Sequence, residues 1–150
     1  MTKPPEPTEK VLVSACLLGY RCRYNAEILE PRKIPEPVDA IVPICPEELG
    51  GLPTPRTPSF FEDMQTGREV LHGNGRVVSE AGEDRTAAFV NGAKKTLKIA
   101  KEAGAKRAYL KERSPSCGCH TVYVGEDRVP GIGVTAALLE ENGIVIISVE

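Results

Sequence analysis

Four short apolar runs, Val11-Leu12-Val13, Ala40-Ile41-Val42-Pro43-Ile44, Ala108-Tyr109-Leu110 and Ile144-Val145-Ile146-Ile147, are rich in β-branched residues and continuous rather than alternating. An alternating run buries one face of a strand, whereas a continuous run buries both, as a parallel sheet covered on two sides requires. The longest periodic segment runs from about Asp84 to Ala103, with Phe89, Val90, Ala93, Leu97 and Ala100 on one helical face. Asp84 stands where an N-cap belongs and Gly104 where a left-handed residue ends a helix. A second helix is expected over about Thr135 to Glu141, closed by Asn142-Gly143. Glu69-Val70-Leu71 and Arg76-Val77-Val78 flank His72-Gly73-Asn74-Gly75, and Asn-Gly between apolar runs predicts a small β-hairpin. Strand and helix in alternation predict an α/β fold, a Rossmann-like three-layer sandwich with a mainly parallel sheet.

The length of 150 residues suits one domain, which can bury roughly 68–70% of its unfolded surface without disulfides. We expect that domain over residues 10–150, after a flexible tail at 1–9 that carries three prolines. With 41% hydrophobic and 27% charged residues the chain is neither disordered, coiled coil nor collagen. Neither a signal core in MTKPPEPTEK nor an apolar run near the ~20 residues of a membrane span is present, so a cytoplasmic protein with no membrane partner is expected. A net charge of −2 argues against a dedicated nucleic-acid binder. Lys94, Lys95, Lys98, Lys101, Lys106 and Arg107 are the local exception, and read most simply as a solvated outer helix face. The stretch GGLPTPRTP at Gly50–Pro58 is too broken for a helix or a central strand. We find no internal repeat or interdomain linker, and oligomeric state leaves no trace in the sequence.

Five cysteines, an odd number with no secretory signal, favour metal ligation or catalysis over a disulfide framework. Three occupy equivalent places. Cys16 follows the first apolar run, Cys45 directly follows the second, and Cys117 comes shortly after the third. Loops beyond the carboxyl ends of parallel strands line the ligand crevice of open α/β sheets, so these three thiols are expected to converge. Convergent thiolates suit a soft metal or an iron–sulfur cluster. Zinc sites usually use tight Cys-x₂-Cys pairs, and this chain has only Cys117-Gly118-Cys119-His120. Three thiolates would leave one iron of a cubane open, as Lewis-acid chemistry needs. The plainer alternative is that these cysteines are simply buried.

Val13-Ser14-Ala15-Cys16-Leu17-Leu18-Gly19 with Cys22-Arg23-Tyr24, then Cys45-Pro46-Glu47 with Gly50-Gly51-Leu52-Pro53-Thr54-Pro55-Arg56, form two motifs. A third is Leu110-Lys111-Glu112-Arg113-Ser114-Pro115-Ser116-Cys117-Gly118. Together with Phe89, Gly92-Ala93 and Gly131-Ile132-Gly133-Val134-Thr135 they resemble the thiouracil desulfidase family over nearly the whole chain after the tail. The resemblance implies a [4Fe–4S] cluster on Cys16, Cys45 and Cys117 with one open iron. It also implies acid–base roles for Glu47 and Ser114. The implied reaction removes sulfur from a small thiolated pyrimidine without redox change, releasing hydrosulfide; thiolated transfer RNA is the second choice of substrate. Glu48 is the rival of Glu47 as base. The chain departs from the family pattern at Asn25-Ala26, where Asp-Gly is usual, and at Ser59-Phe60-Phe61, where smaller residues are expected.

Other chemistries fit less well. A phosphatase-type loop needs Cys-x₅-Arg, but Arg21 and Arg23 each miss that spacing from Cys16 by one. Gly131-Ile132-Gly133-Val134-Thr135-Ala136 has a dinucleotide-like form, but no βαβ half follows it, so close packing at a helix start explains it better. His72 reads as a turn residue. Cys22 reads as packed or hydrogen-bonded. The alternative function is a zinc-binding or sulfur-relay module using Cys16, Cys117, Cys119 and His120.

Overall fold

A computed structural model describes residues 9–150, so the expected tail lies outside the described residues except for Glu9. In chain order the elements are β1 (Val11–Ser14), β2 (Ile41–Ile44), α1 (Pro46–Leu49), β3 (Ser59–Phe61), α2 (Gly67–Leu71) and β4 (Val77–Ser79). They continue with α3 (Thr86–Ala103), β5 (Arg107–Lys111), β6 (Thr121–Val124), β7 (Asp127–Pro130), α4 (Val134–Glu141) and β8 (Val145–Val149). The four continuous apolar runs become one parallel sheet in the order β2-β1-β5-β8. β1 is buried along its whole length, as its unbroken apolar run requires. Pro43 cannot donate to a ladder, and β2 is accordingly an edge strand.

Side chains alternate across this sheet. Leu12, Ala108 and Leu110 point to the face covered by α3 and α4, where they meet Ala100, Ala136 and Leu139. Val11, Val13 and Tyr109 point the other way, onto Leu17 and Ile34. The second covering layer is thus a 3-10 turn and irregular chain instead of α-helix. A second sheet, β4-β3-β6-β7, packs Phe61, Val77 and Val122 against Phe89 and Ala93 of α3, Val70 of α2 and Val134 of α4. Full burial of Phe61 and Phe89 contributes about 1.5–3 kcal/mol each.

The expected hairpin at residues 69–78 is not formed. Glu69-Val70-Leu71 belongs to α2, and Val77-Val78 pairs antiparallel with β3 instead. Tertiary packing overrides the local β preference, because the helix lets Val70 enter the second core while Gly67 donates to the Ile132 carbonyl at 2.8 Å. His72 to Asn74 close the helix, with the Asn74 amide on the Glu69 carbonyl. Ala26 adopts the left-handed region (φ 58), uncommon for a residue with a Cβ.

Two close approaches seat the elements that bear functional residues. α1 and α3 cross in backbone contact: a Cβ on Gly92 would lie 2.0 Å from the Pro46 carbonyl oxygen, and one on Gly50 would lie 2.1 Å from that of Ala88. At the start of α4, a Cβ on Gly133 would lie 2.5 Å from the Ser116 backbone, while the Val134 and Ala136 amides donate to Pro115 and Ser116. The glycine-rich run is therefore a packing device, as expected. Gly92→Ala should lower stability by about 1–3 kcal/mol through overpacking. Asn91→Ala, on the exposed side of the same turn, should change it by less than about 0.5 kcal/mol. Urea unfolding of the two variants checks this.

Candidate active site

β1, β2 and β5 end at one level. Ser14 pairs in register with Ile44, and the Lys111 amide donates to the Ser14 hydroxyl at 3.0 Å. Past those ends, Cys16 lies in the turn after β1, Cys45 directly precedes α1, and Cys117 lies in the Ser114–Gly118 turn held by α4. All three line one cleft of about 810 Å³, together with Cys22, Glu47 and Ser114. The convergence expected from strand-end spacing is present.

The thiols are electrostatically distinct. Cys22 lies beside Cys16 and Cys45, whose proximity raises its pKa, and the Cys45 Sγ donates to the Cys22 carbonyl at 3.8 Å. The neighbouring Cys22 thiol, opposed by burial and aided by the charges of Lys111 and Arg23, lowers Cys16 to about 7. Cys45 is lowered by the same neighbour, against burial, and by the Glu48 amide. Cys117 is buried and its pKa raised for that reason, although the Ser116 hydroxyl donates to its sulfur at 3.7 Å. Cys22 thus sits buried between two cysteines that favour the thiolate.

Glu47 and Glu48 separate cleanly. Glu47 lines the cleft, and its Oε2 accepts from Arg56 Nη2 at 2.6 Å. Glu48 is engaged by the Thr54 hydroxyl at 2.6 Å and is not part of the cleft lining. Arg56 has a side chain only 1% exposed and also donates to the carbonyls of Cys22 and Pro53, so it clasps the β1 and α1 sides of the cleft together. Its sole sequence signal was its place in the Gly50–Arg56 motif. Ser114 Oγ accepts the amides of Ser116 and Cys117 at 3.0 and 3.2 Å and is hydrogen-bonded to the Ser116 hydroxyl at 2.9 Å, which fixes the turn that carries Cys117. Phe60 and Phe61 part company: Phe61 is core, while Phe60 lines the cleft with Tyr24 and Tyr123. Lys94, Lys95, Lys98 and Lys101 lie exposed on α3, and none lines the cleft.

Glu112 is the second residue that spacing did not single out. Buried to 3% exposure, it accepts the amides of Cys119, His120 and Thr121 on Oε1 at 3.0, 2.9 and 2.9 Å, and the Ser148 hydroxyl on Oε2. Burial alone would raise its pKa, but these donors bring it down to about 2. Cys119, pushed up to about 11 by burial and this carboxylate, and His120 open onto a separate groove with Arg68 and Glu140. The zinc set of Cys16, Cys117, Cys119 and His120 is therefore divided between two pockets.

The comparisons with known proteins agree with this geometry. The model of the family described as 2-thiouracil desulfurase matches residues 11–150. The uncharacterized protein YbbK of Bacillus subtilis (strain 168) is 46% identical over 143 residues, covering 92% of this chain and 94% of the relative. A solved structure described as a [4Fe-4S]-dependent thiouracil desulfidase, TudS, superposes with a TM-score of 0.77 at 37% identity, covering 93% of this chain and 90% of the other. No described helix is long and apolar enough to cross a membrane. With the match running from β1 through β8, the chain belongs to the 2-thiouracil desulfurase family, a family of enzymes.

Proposed function

We propose that the protein hydrolyses the thiocarbonyl of a small thiolated pyrimidine, a thiouracil-like base or nucleoside, to the oxo compound and hydrosulfide. The observation that carries this reading is the meeting of Cys16, Cys45 and Cys117 with Glu47 in one cleft at the ends of three adjacent parallel strands. The donor set fits a cluster better than a single ion. Among the described residues, the set of three donors gathered within 4.8 Å, as one ion requires, is Glu112, Cys119 and His120, not the three cysteines. Cys16, Cys45 and Cys117 would hold a [4Fe–4S] cluster, which when bound supplies a thiophilic Lewis acid with one iron free of protein ligands.

The other roles belong to the chain's own side chains. Glu47, oriented by Arg56, accepts a proton from the attacking water. Ser114, its oxygen held by two amides, turns its hydroxyl proton from the Ser116 hydroxyl to the polar edge of the ring. Cys22 lies beside the sulfurs of Cys16 and Cys45, and the Ser116 hydroxyl donates to that of Cys117 at 3.7 Å. Phe60, Tyr24 and Tyr123 supply an apolar wall for a flat base. Water adds its oxygen to the carbon and the C–S bond breaks, with no change in oxidation state. The α3 lysines, being absent from the cleft, favour a small substrate over transfer RNA. Five free cysteines support a reducing compartment, the cytoplasm, as the place of action.

Anaerobic reconstitution with iron and sulfide, followed by metal analysis and a thiouracil desulfuration assay, tests the proposal. About four irons and four sulfides per chain are expected. Cys45→Ser should lose iron and activity together; a variant that still transfers sulfur without iron would point to a sulfur carrier. Glu47→Gln should retain iron while turnover falls about 10²-fold or more. Phe60→Ala should raise KM about fivefold or more with little change in kcat, the loss of roughly 1 kcal/mol of stacking.

A further inference from the structure

Glu112 Oε2, Cys119 Sγ and His120 Nδ1 form a triangle with edges of 3.3 Å from oxygen to nitrogen, 3.4 Å from oxygen to sulfur and 3.5 Å from sulfur to nitrogen. Carboxylate, thiolate and imidazole are the donor types that zinc accepts, at about 2.0–2.2 Å for oxygen and nitrogen and about 2.3 Å for sulfur. Tetrahedral ligands at those lengths stand roughly 3.3–3.6 Å apart. The triangle therefore already has the dimensions of one tetrahedral face. We propose that Glu112, Cys119 and His120 form a binding site for one zinc-class divalent cation, distinct from the three cleft cysteines.

The surroundings suit that role. A ligating carboxylate has to be oriented by outer partners, and Glu112 is held by three backbone amides and the Ser148 hydroxyl. Two of those amides belong to Cys119 and His120 themselves, so the carboxylate and the other two donors are fixed relative to one another. Carboxylate and thiolate together balance a divalent charge. Binding displaces the thiol proton to water. Cys119 and His120 open onto a groove of about 530 Å³ bordered by Arg68, Glu69 and Glu140, from which water reaches the fourth position. Glu112 itself lines the cleft and reaches Cys119 and His120 through its Oε2. A cation here would brace the turn that leaves Cys117, one side chain away from the proposed reaction.

A triangle of hydrogen bonds alone could have the same size, and zinc added to any cysteine-rich protein can enter thiol sites elsewhere. The test therefore uses cluster-loaded protein under anaerobic conditions, titrated with zinc chloride against a chromophoric chelator, with zinc and iron counted per chain and zinc-edge X-ray absorption recorded. One zinc per chain is expected, with one sulfur near 2.3 Å and nitrogen or oxygen near 2.0–2.1 Å. Affinity should fall about tenfold or more in His120→Ala and Cys119→Ser, since even outer-shell partners carry that much, while iron content stays the same. The His120 side chain is 76% exposed, so its removal does not endanger the fold. No zinc retained by the loaded wild type, or undiminished binding in His120→Ala, overturns the proposal. So does a zinc with several sulfur neighbours that disappears in Cys45→Ser, which would put the ion in the cleft. The site does not rest on the desulfidase reading: should the chain load no iron, Cys45→Ser is still expected to bind the same single zinc.

Discussion

The site depends on the register of β1 against its two neighbours. Parallel pairing of Val11 with Ile41 through Ser14 with Ile44, and of Leu12 and Val13 with Ala108 and Tyr109, ends three strands at one level. The chain leaves the sheet there in three different ways: a 3-10 turn, a short helix started by Pro46, and a turn pinned by α4. A slip of one residue in any pair would turn every side chain of that strand to the opposite face and carry a cysteine away from the crevice. Burial on both faces of β1 makes such a slip costly.

Around that frame, the polar groups near the cleft are arranged by donors rather than by charge alone. Cys22 keeps its proton beside two neighbouring sulfurs, and Cys16 and Cys45 are biased toward thiolate within a largely buried environment. Arg56 ties the Glu47 carboxylate to the Cys22 carbonyl, so the acid and the cysteine loop cannot move independently. Glu112 does the same for the segment after Cys117. Each is a buried charge with partners on separate stretches of chain, and removal of one partner would leave the other stranded in a low-dielectric wall.

Local patterns carried much of this in the sequence. The strands and α3 were legible because burial on two faces, or on one helical stripe, leaves a run or a period that neighbours cannot disguise. Cys16, Cys45 and Cys117 were legible because each sits just beyond such a run. The hairpin at 69–78 misled because Val70 is β-branched and Asn-Gly resembles a turn, whereas contact with the second core and with Gly133 selects a helix. Arg56 and Glu112 gave no independent signal. Their partners lie in other segments, as with Glu112 and Ser148, so only the folded chain brings the donors and acceptors together.

The pleat of β3 separates two tasks onto neighbouring residues. Phe61 is fully buried in the second core, and Phe60, facing the other way, forms part of the cleft wall. Exchange at 61 disturbs packing that several elements share, while exchange at 60 alters only the surface presented to a ligand. The wall of the cleft can therefore be reshaped by mutation at one position while the scaffold is held constant by the next, without any change of architecture.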